Sequence, residues 1–209
     1  MIELLACKLG RNDEAPNIEL AELLCANEDA HGIREIVDGL KSEDQAVAND
    51  CIKVLYEIGY RSPNLIADYA GDFISLLSSK NNRMVWGGMT ALTYIVPFKP
   101  EVLYNRLPEI IAAYENGSVI TIDNSISVFA ELCKANKAYR TEIFPILIRH
   151  LKCCRAKEIP QHFERISVCI DADTQEAFVK VLKTRMDELS ESQKVRVMKV
   201  IKKIQGVRS

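Results

Sequence analysis

Four side chains able to bind metal or exchange protons crowd into one stretch, His150-x2-Cys153-Cys154-x7-His162. Imidazole and thiolate are the ligands of zinc, and paired thiols carry redox chemistry. Adjacent cysteines fit poorly around one tetrahedral ion, and this spacing matches no standard ligand pair. The expectation is an ordinary helix-end loop with inert Cys153 and Cys154 and no metal; a metal site and a redox pair are the alternatives. Elsewhere catalytic motifs are missing. Nine scattered glycines form neither GxGxxG nor GxxxxGK[ST], and no HExxH, CxxC or GxSxG occurs. The expectation is a protein that is not an enzyme and carries no cofactor.

Gly87 and Gly88 follow Trp86, the single tryptophan. In a helix interior each glycine costs ~1 kcal/mol against alanine. Close approach of a neighbouring helix offsets that cost, or a ligand approaches the backbone beside Trp86.

The elements that position these residues repeat. Segments 36–59, 73–96, 110–133 and 147–170 align without gaps at a period of 37, and 182–204 follows with a shortening of two residues. Ile36, Phe73, Ile110, Leu147 and Leu182 share one position; Leu40, Leu77, Tyr114, Leu151 and Met186 share the next turn. In the second half Ile52, Met89, Ile126, Phe163 and Met198 align, then Leu55, Leu92, Phe129, Ile166 and Ile201, then Ile58, Ile95, Leu132, Cys169 and Ile204. Apolar spacings of three and four are helical, and no segment alternates as a strand would. Polar turns such as Lys41-Ser-Glu-Asp-Gln and Ser78-Ser-Lys-Asn-Asn split each segment into a short and a longer helix. One such pair cannot bury its apolar face alone, so neighbours must stack. Met1–Leu9 and Asn17–Cys25 read as two short helices outside the period.

Formal net charge is −2, which removes bulk attraction to nucleic acid. Charge is uneven: residues 1–60 carry 13 acids and 5 bases, residues 178–209 carry 3 acids and 9 bases. The basic stretch comprises Lys180, Lys183, Arg185, Lys194, Arg196, Lys199, Lys202, Lys203 and Arg208. Seven cysteines fall mostly in apolar helical patterns, no secretory signal is visible, and no apolar run reaches membrane-helix length. A cytoplasmic location with reduced thiols is expected.

Leu40-Lys-Ser-Glu-Asp through Ile58-Gly59, Val85-Trp-Gly-Gly-Met-Thr-Ala-Leu92, Leu107-Pro-Glu-Ile and Ile143-Phe-Pro-Ile resemble HEAT and armadillo repeats over roughly residues 30–205. The resemblance implies an all-α, right-handed superhelix, a single α-solenoid domain over 1–209. Its parts would be N-terminal capping helices (1–29), four repeats (30–177) and a C-terminal capping repeat (178–209). It also implies that the second helices line a concave face. Removing the core positions leaves an exposed stripe on that face. Asn49, Trp86, Asp123 and Pro160 form its first row; Asp50, Gly87, Asn124 and Gln161 the second. Lys53, Thr90, Ser127 and Glu164 come next, then Glu57, Tyr94, Glu131 and Val168. Trp and Tyr dominate binding hot spots. Trp86, Tyr94, Thr90, Asn49, Asp50, Glu57, Asp123, Asn124 and Glu131 are therefore the candidate partner-binding residues.

The leading expectation is a scaffold that binds a basic or mixed-charge protein segment. One alternative is nucleic-acid binding, or a DNA glycosylase of the HEAT-like-repeat type with Trp86 and Asp123 at the lesion, which an acidic stripe disfavours. Another is end-to-end self-association of the acidic and basic ends.

Overall fold

The computed structural model describes residues 1–206; Arg208 of the basic stretch lies outside the described residues. Among the described residues there are twelve α-helices and no strand. They are α1 (Ala15–Ala26), α2 (Ala30–Gly39), α3 (Gln45–Arg61), α4 (Ala70–Leu76), α5 (Asn82–Ile95) and α6 (Pro100–Asn105). There follow α7 (Leu107–Asn116), α8 (Val119–Ala135), α9 (Arg140–Cys153), α10 (Ile159–Ile166), α11 (Gln175–Arg185) and α12 (Glu191–Ile204).

Helix starts follow side-chain chemistry. The carboxylates of Asp29 and Asp44 and the amide oxygen of Asn81 accept first-turn N–H groups from Gly32, Ala46 and Arg83. Ser190 and Gln193 form a reciprocal capping box at α12. Each arrangement satisfies donors that the helix itself leaves unpaired.

The repeat positions form the core. Ile36, Phe73, Ile110 and Leu147 are fully buried, as are Ile52, Met89, Ile126 and Phe163, and Leu55, Leu92, Phe129 and Ile166. Burying each such side chain contributes roughly 1.5–3 kcal/mol. Met198 departs from its expected place: it is 40% exposed while Val197 is buried. Val197 and Ile201, four residues apart, form the buried face of α12 instead.

The chain divides into two compact units, Met1–Ser125 and Ile126–Ser209. In the first, α1 packs along α3 and α3 along α5, while α2 lies against α3 and α4 against α5. In the second, α9 packs against α10 and α11, and α10 against α12. α1 therefore extends the row of second helices.

The segment before α1 is not the helix expected over Met1–Leu9. It has one 3₁₀ turn at Ile2–Leu4 and then hydrogen-bonded turns to Gly10. Three of its N–H groups are taken by distant side chains: Ile2 donates to Glu35 Oε1 (3.1 Å), Ala6 to Asn17 Oδ1 (3.0 Å) and Cys7 to Asp50 Oδ2 (2.8 Å). Those bonds compete with helical pairing.

Gly87 and Gly88 mark close approaches. A Cβ on Gly87 would stand 2.6 Å from Ile52 Cγ1 of α3, and one on Gly88 3.0 Å from the Phe73 carbonyl oxygen of α4. Gly87, expected on the exposed stripe, is buried against α3.

Candidate functional site

The second helices of the first unit present a row of half-buried polar and aromatic side chains: Asn49, Asp50 and Glu57 from α3, Trp86, Thr90 and Tyr94 from α5, and Asp123 and Asn124 from α8. None of the eight is fully exposed, unlike the open stripe expected from the pattern. The reason is lateral packing: α3 is flanked by α1 and α5 with α2 also against it, and α5 packs against both α3 and α4.

Trp86 has the most structured surroundings. Tyr56 lies at a ring-centroid distance of 5.7 Å, tilted by 46°. The Arg83 guanidinium sits 5.7 Å from the indole centroid, within cation–π range. Arg83 also donates to Glu14 Oε1 at 2.6 Å. One turn on, Thr90 Oγ1 donates to the Trp86 carbonyl (2.7 Å) and accepts from Asn124 Nδ2 (2.8 Å). Asn81 Nδ2 donates to Asn49 Oδ1 (2.9 Å). These bonds tie each helix to the next and fix the amide orientations. Tyr94 meets the exposed Tyr60 edge-on at 6.0 Å.

The acids expected to surround Trp86 are mostly engaged elsewhere. Asp50 holds the Cys7 N–H of the N-terminal segment. Glu57 is bound by Lys53 Nζ (2.7 Å) and by Arg61 Nη1 (2.5 Å). Lys53, expected as an exposed cation, is buried at 6% exposure between Glu57 and Glu14. Glu131, which belongs to the second unit, pairs with Lys134 at 3.2 Å. Asp123 is half-buried on α8.

Protonation follows from this packing. Burial opposes ionisation of Glu57 and Glu14, but hydrogen bonds from Lys53 with Arg61, and from Lys53 with Arg83, outweigh it and hold both carboxyls below their usual range. Burial likewise works against the Lys53 ammonium, and its bonds to Glu57, Glu14 and Tyr56 prevail and raise it. Burial raises the Tyr56 phenol. The row thus sets aromatic and amide groups beside Arg83 and among carboxylates, of which Asp50 and Glu57 are held by hydrogen bonds or ion pairs.

Pattern reasoning missed Tyr56, Tyr60 and Arg83. Arg83 was within reach of it, because a residue three positions before Trp86 shares its helix face. A groove of about 580 Å³, lined by Leu77, Val85, Arg106, Glu109 and Asn116 among others, contains none of the row.

In the second unit His150, Cys154 and His162 come together. Their ligand atoms all lie within 4.8 Å of one another. His150 Nε2 and His162 Nδ1 share a hydrogen bond of 2.8 Å. Cys153 points to solvent, whereas Cys154 is buried. Burial raises the Cys154 thiol, against the pull of Arg185. All seven cysteines are free.

These helix pairs, stacked through second helices, define an all-α repeat fold of the HEAT and armadillo type. Solved structures carry the same fold. An engineered protein superposes with a TM-score of 0.68 at 15% identity, covering 99% of this chain and 97% of the other. A designed armadillo repeat protein gives 0.66 at 11% identity, with 100% of both chains covered. The karyopherin Kap121p, in its structure bound to Pho4p, gives 0.66 at 16% identity; 89% of this chain matches 20% of that one, about a fifth of its length. No family model and no curated protein matches the sequence. No helix among the described residues is long and apolar enough to cross a membrane.

Proposed function

We propose that the first unit is a non-enzymatic interaction module that binds an extended, mixed-charge protein segment along α3, α5 and the start of α8. The observation that carries the reading is Trp86, half-buried between Tyr56 and Arg83 and followed by the Thr90–Asn124 bond. An aromatic anchor held by its neighbours loses little freedom on binding, and the adjacent amides and hydroxyl can meet a partner's backbone. Kap121p in complex with Pho4p and armadillo repeats designed for modular peptide recognition share the fold and support the same use of it. Glu57 and Asp50 are already engaged, so we assign the partner a mixed-charge segment rather than a uniformly basic one.

The test is an array of mixed-charge peptides screened against the protein, with affinities of the binders measured by fluorescence anisotropy. Trp86→Ala should weaken the best binder by about 2 kcal/mol, roughly 30-fold. Association should slow as salt rises, because rim charges act mainly on encounter. Unchanged affinity in a folded Trp86→Ala protein refutes the site.

A further inference from the structure

We infer that His150, Cys154 and His162 form a three-ligand site for a zinc-class divalent cation, with the fourth position left to water or an exogenous donor. His150 lies in the last turn of α9 and Cys154 is the residue that caps it, its N–H donating to the His150 carbonyl at 2.8 Å, which holds the two at the same end of the helix. His162 comes from the first turns of α10, across a short connection held by Arg155 and Glu158. The three ligands thus lie on two helices that already pack together, and little chain must be ordered to bring them into place.

The distances are close to what an ion needs. Two nitrogens at ~2.0–2.1 Å from tetrahedral zinc stand roughly 3.3 Å apart, and a thiolate at ~2.3 Å stands roughly 3.6 Å from each. The facing nitrogens are now 2.8 Å apart, joined by one proton, and the sulfur lies within 4.8 Å. Side-chain rotations of about an ångström open the pair for a cation in place of that shared proton. Binding displaces the thiol proton to solvent, while the imidazole N–H proton moves to that ring's other nitrogen. One proton is released per ion, and no oxidant or reductant is involved.

Packing alone does not call for these residues. At the matching positions of the three preceding repeats His150 is replaced by Gly39, Leu76 and Ala113, and His162 by Cys51, Gly88 and Ser125; the last unit has Arg185 and Val197 there. The three preceding pairs close with small or apolar side chains, whereas this pair buries two imidazoles and a thiol, at 7%, 0% and 9% exposure. Buried polar groups carry a desolvation cost that a strong ligand bond offsets. Arg185 works both ways. Its Nη1 donates to the Leu151 and Cys154 carbonyls at 2.9 and 2.7 Å, fixing the backbone of the Cys154 ligand, and stands 3.7 Å from the sulfur. It favours the thiolate and weakens the attraction for the ion.

The experiment uses the full chain stripped of metal by chelator and titrated with Co²⁺ at constant neutral pH. The expected result is one Co²⁺ per chain, with visible bands of tetrahedral cobalt and a near-ultraviolet thiolate-to-cobalt band, all bleached by one equivalent of Zn²⁺. The charge-transfer band should be lost in Cys154→Ser and kept in Cys153→Ser, and His162→Asn should lose stoichiometric binding. Circular dichroism of each apo variant separates lost ligation from lost folding. The wild-type and Cys153→Ser spectra decide the matter if Cys154→Ser does not fold. Absence of a thiolate band in the wild type, or its loss in Cys153→Ser, overturns the assignment.

Discussion

The contact of Gly87 with Ile52 supports a prediction whose sign reverses with background. Gly87→Ala gains ~1 kcal/mol of helix propensity. The new methyl, however, would meet Ile52 Cγ1 at 2.6 Å. Ile52 is fully buried and β-branched within a helix, so its χ1 cannot swing the group away. Overpacking of this kind costs ~1–3 kcal/mol, so the net loss is about 0–2 kcal/mol. Ile52→Ala alone should cost about 2–5 kcal/mol through the cavity it leaves. In the Ile52→Ala background the clash is absent, and Gly87→Ala should stabilise by up to ~1 kcal/mol. The coupling in the double-mutant cycle is then about 1–3 kcal/mol, far above the ~0.5 kcal/mol scatter of independent sites. Urea unfolding followed by far-ultraviolet circular dichroism measures it, provided that the slope against denaturant is unchanged. If Gly87→Ala has the same effect in both backgrounds, α3 and α5 do not meet there and the account of the paired glycines fails.

Leu92→Ala, at a fully buried position, should cost about 2–5 kcal/mol in the same assay, and a loss under ~0.5 kcal/mol would place Leu92 on the surface. Lys53→Ala leaves Glu57 to Arg61 alone and Glu14 to Arg83 alone and should cost roughly 1–2 kcal/mol, below the 3–5 of a broken buried pair because each carboxylate keeps one cation; a neutral result would show that the ammonium is not held between them. The folded carboxyls of Glu14 and Glu57 lie below their unfolded value of ~4.3, so their stabilisation is present above that pH and is lost as pH falls towards the folded values. Lys53 is shifted upward, so its contribution is complete below ~10.4 and is lost as pH rises through its folded value. Stability measured against pH should therefore drop below about 4.3, and Glu57→Gln should flatten that acid limb; an unchanged limb would remove Glu57 from the network.

The parts of this molecule that the sequence revealed are those set by local periodicity. Leu55, Leu92, Phe129 and Ile166 are buried because a helix of fixed pitch returns the same position to the same face in every repeat. Interactions between side chains distant in the chain left no such signal. Lys53 looked like a surface cation because its second carboxylate, Glu14, lies outside the repeat and reaches it only when α1 packs on α3. Asp50 looked free because the Cys7 N–H that occupies it becomes available only where the first residues abandon the helix. The row of the first unit thus combined a correct helical phase with a charge pattern that tertiary pairing rewrites, and Trp86 stands beside Arg83 rather than among unpaired acids. The histidine–cysteine cluster inverts the lesson. Its signal was local, but the adjacency of Cys153 and Cys154 hid it, since neighbours along a helix point about 100° apart and cannot share one ion easily. His150 and Cys154, one turn apart, were the pair to read. The second helix of the same repeat then supplies His162 at a position where Cys51, Gly88 and Ser125 show that only a small side chain is needed for packing. A chemically capable residue at a repeat position that packing fills with small ones is a sharper sign of function than the same residue on an open face, because the fold does not require it there.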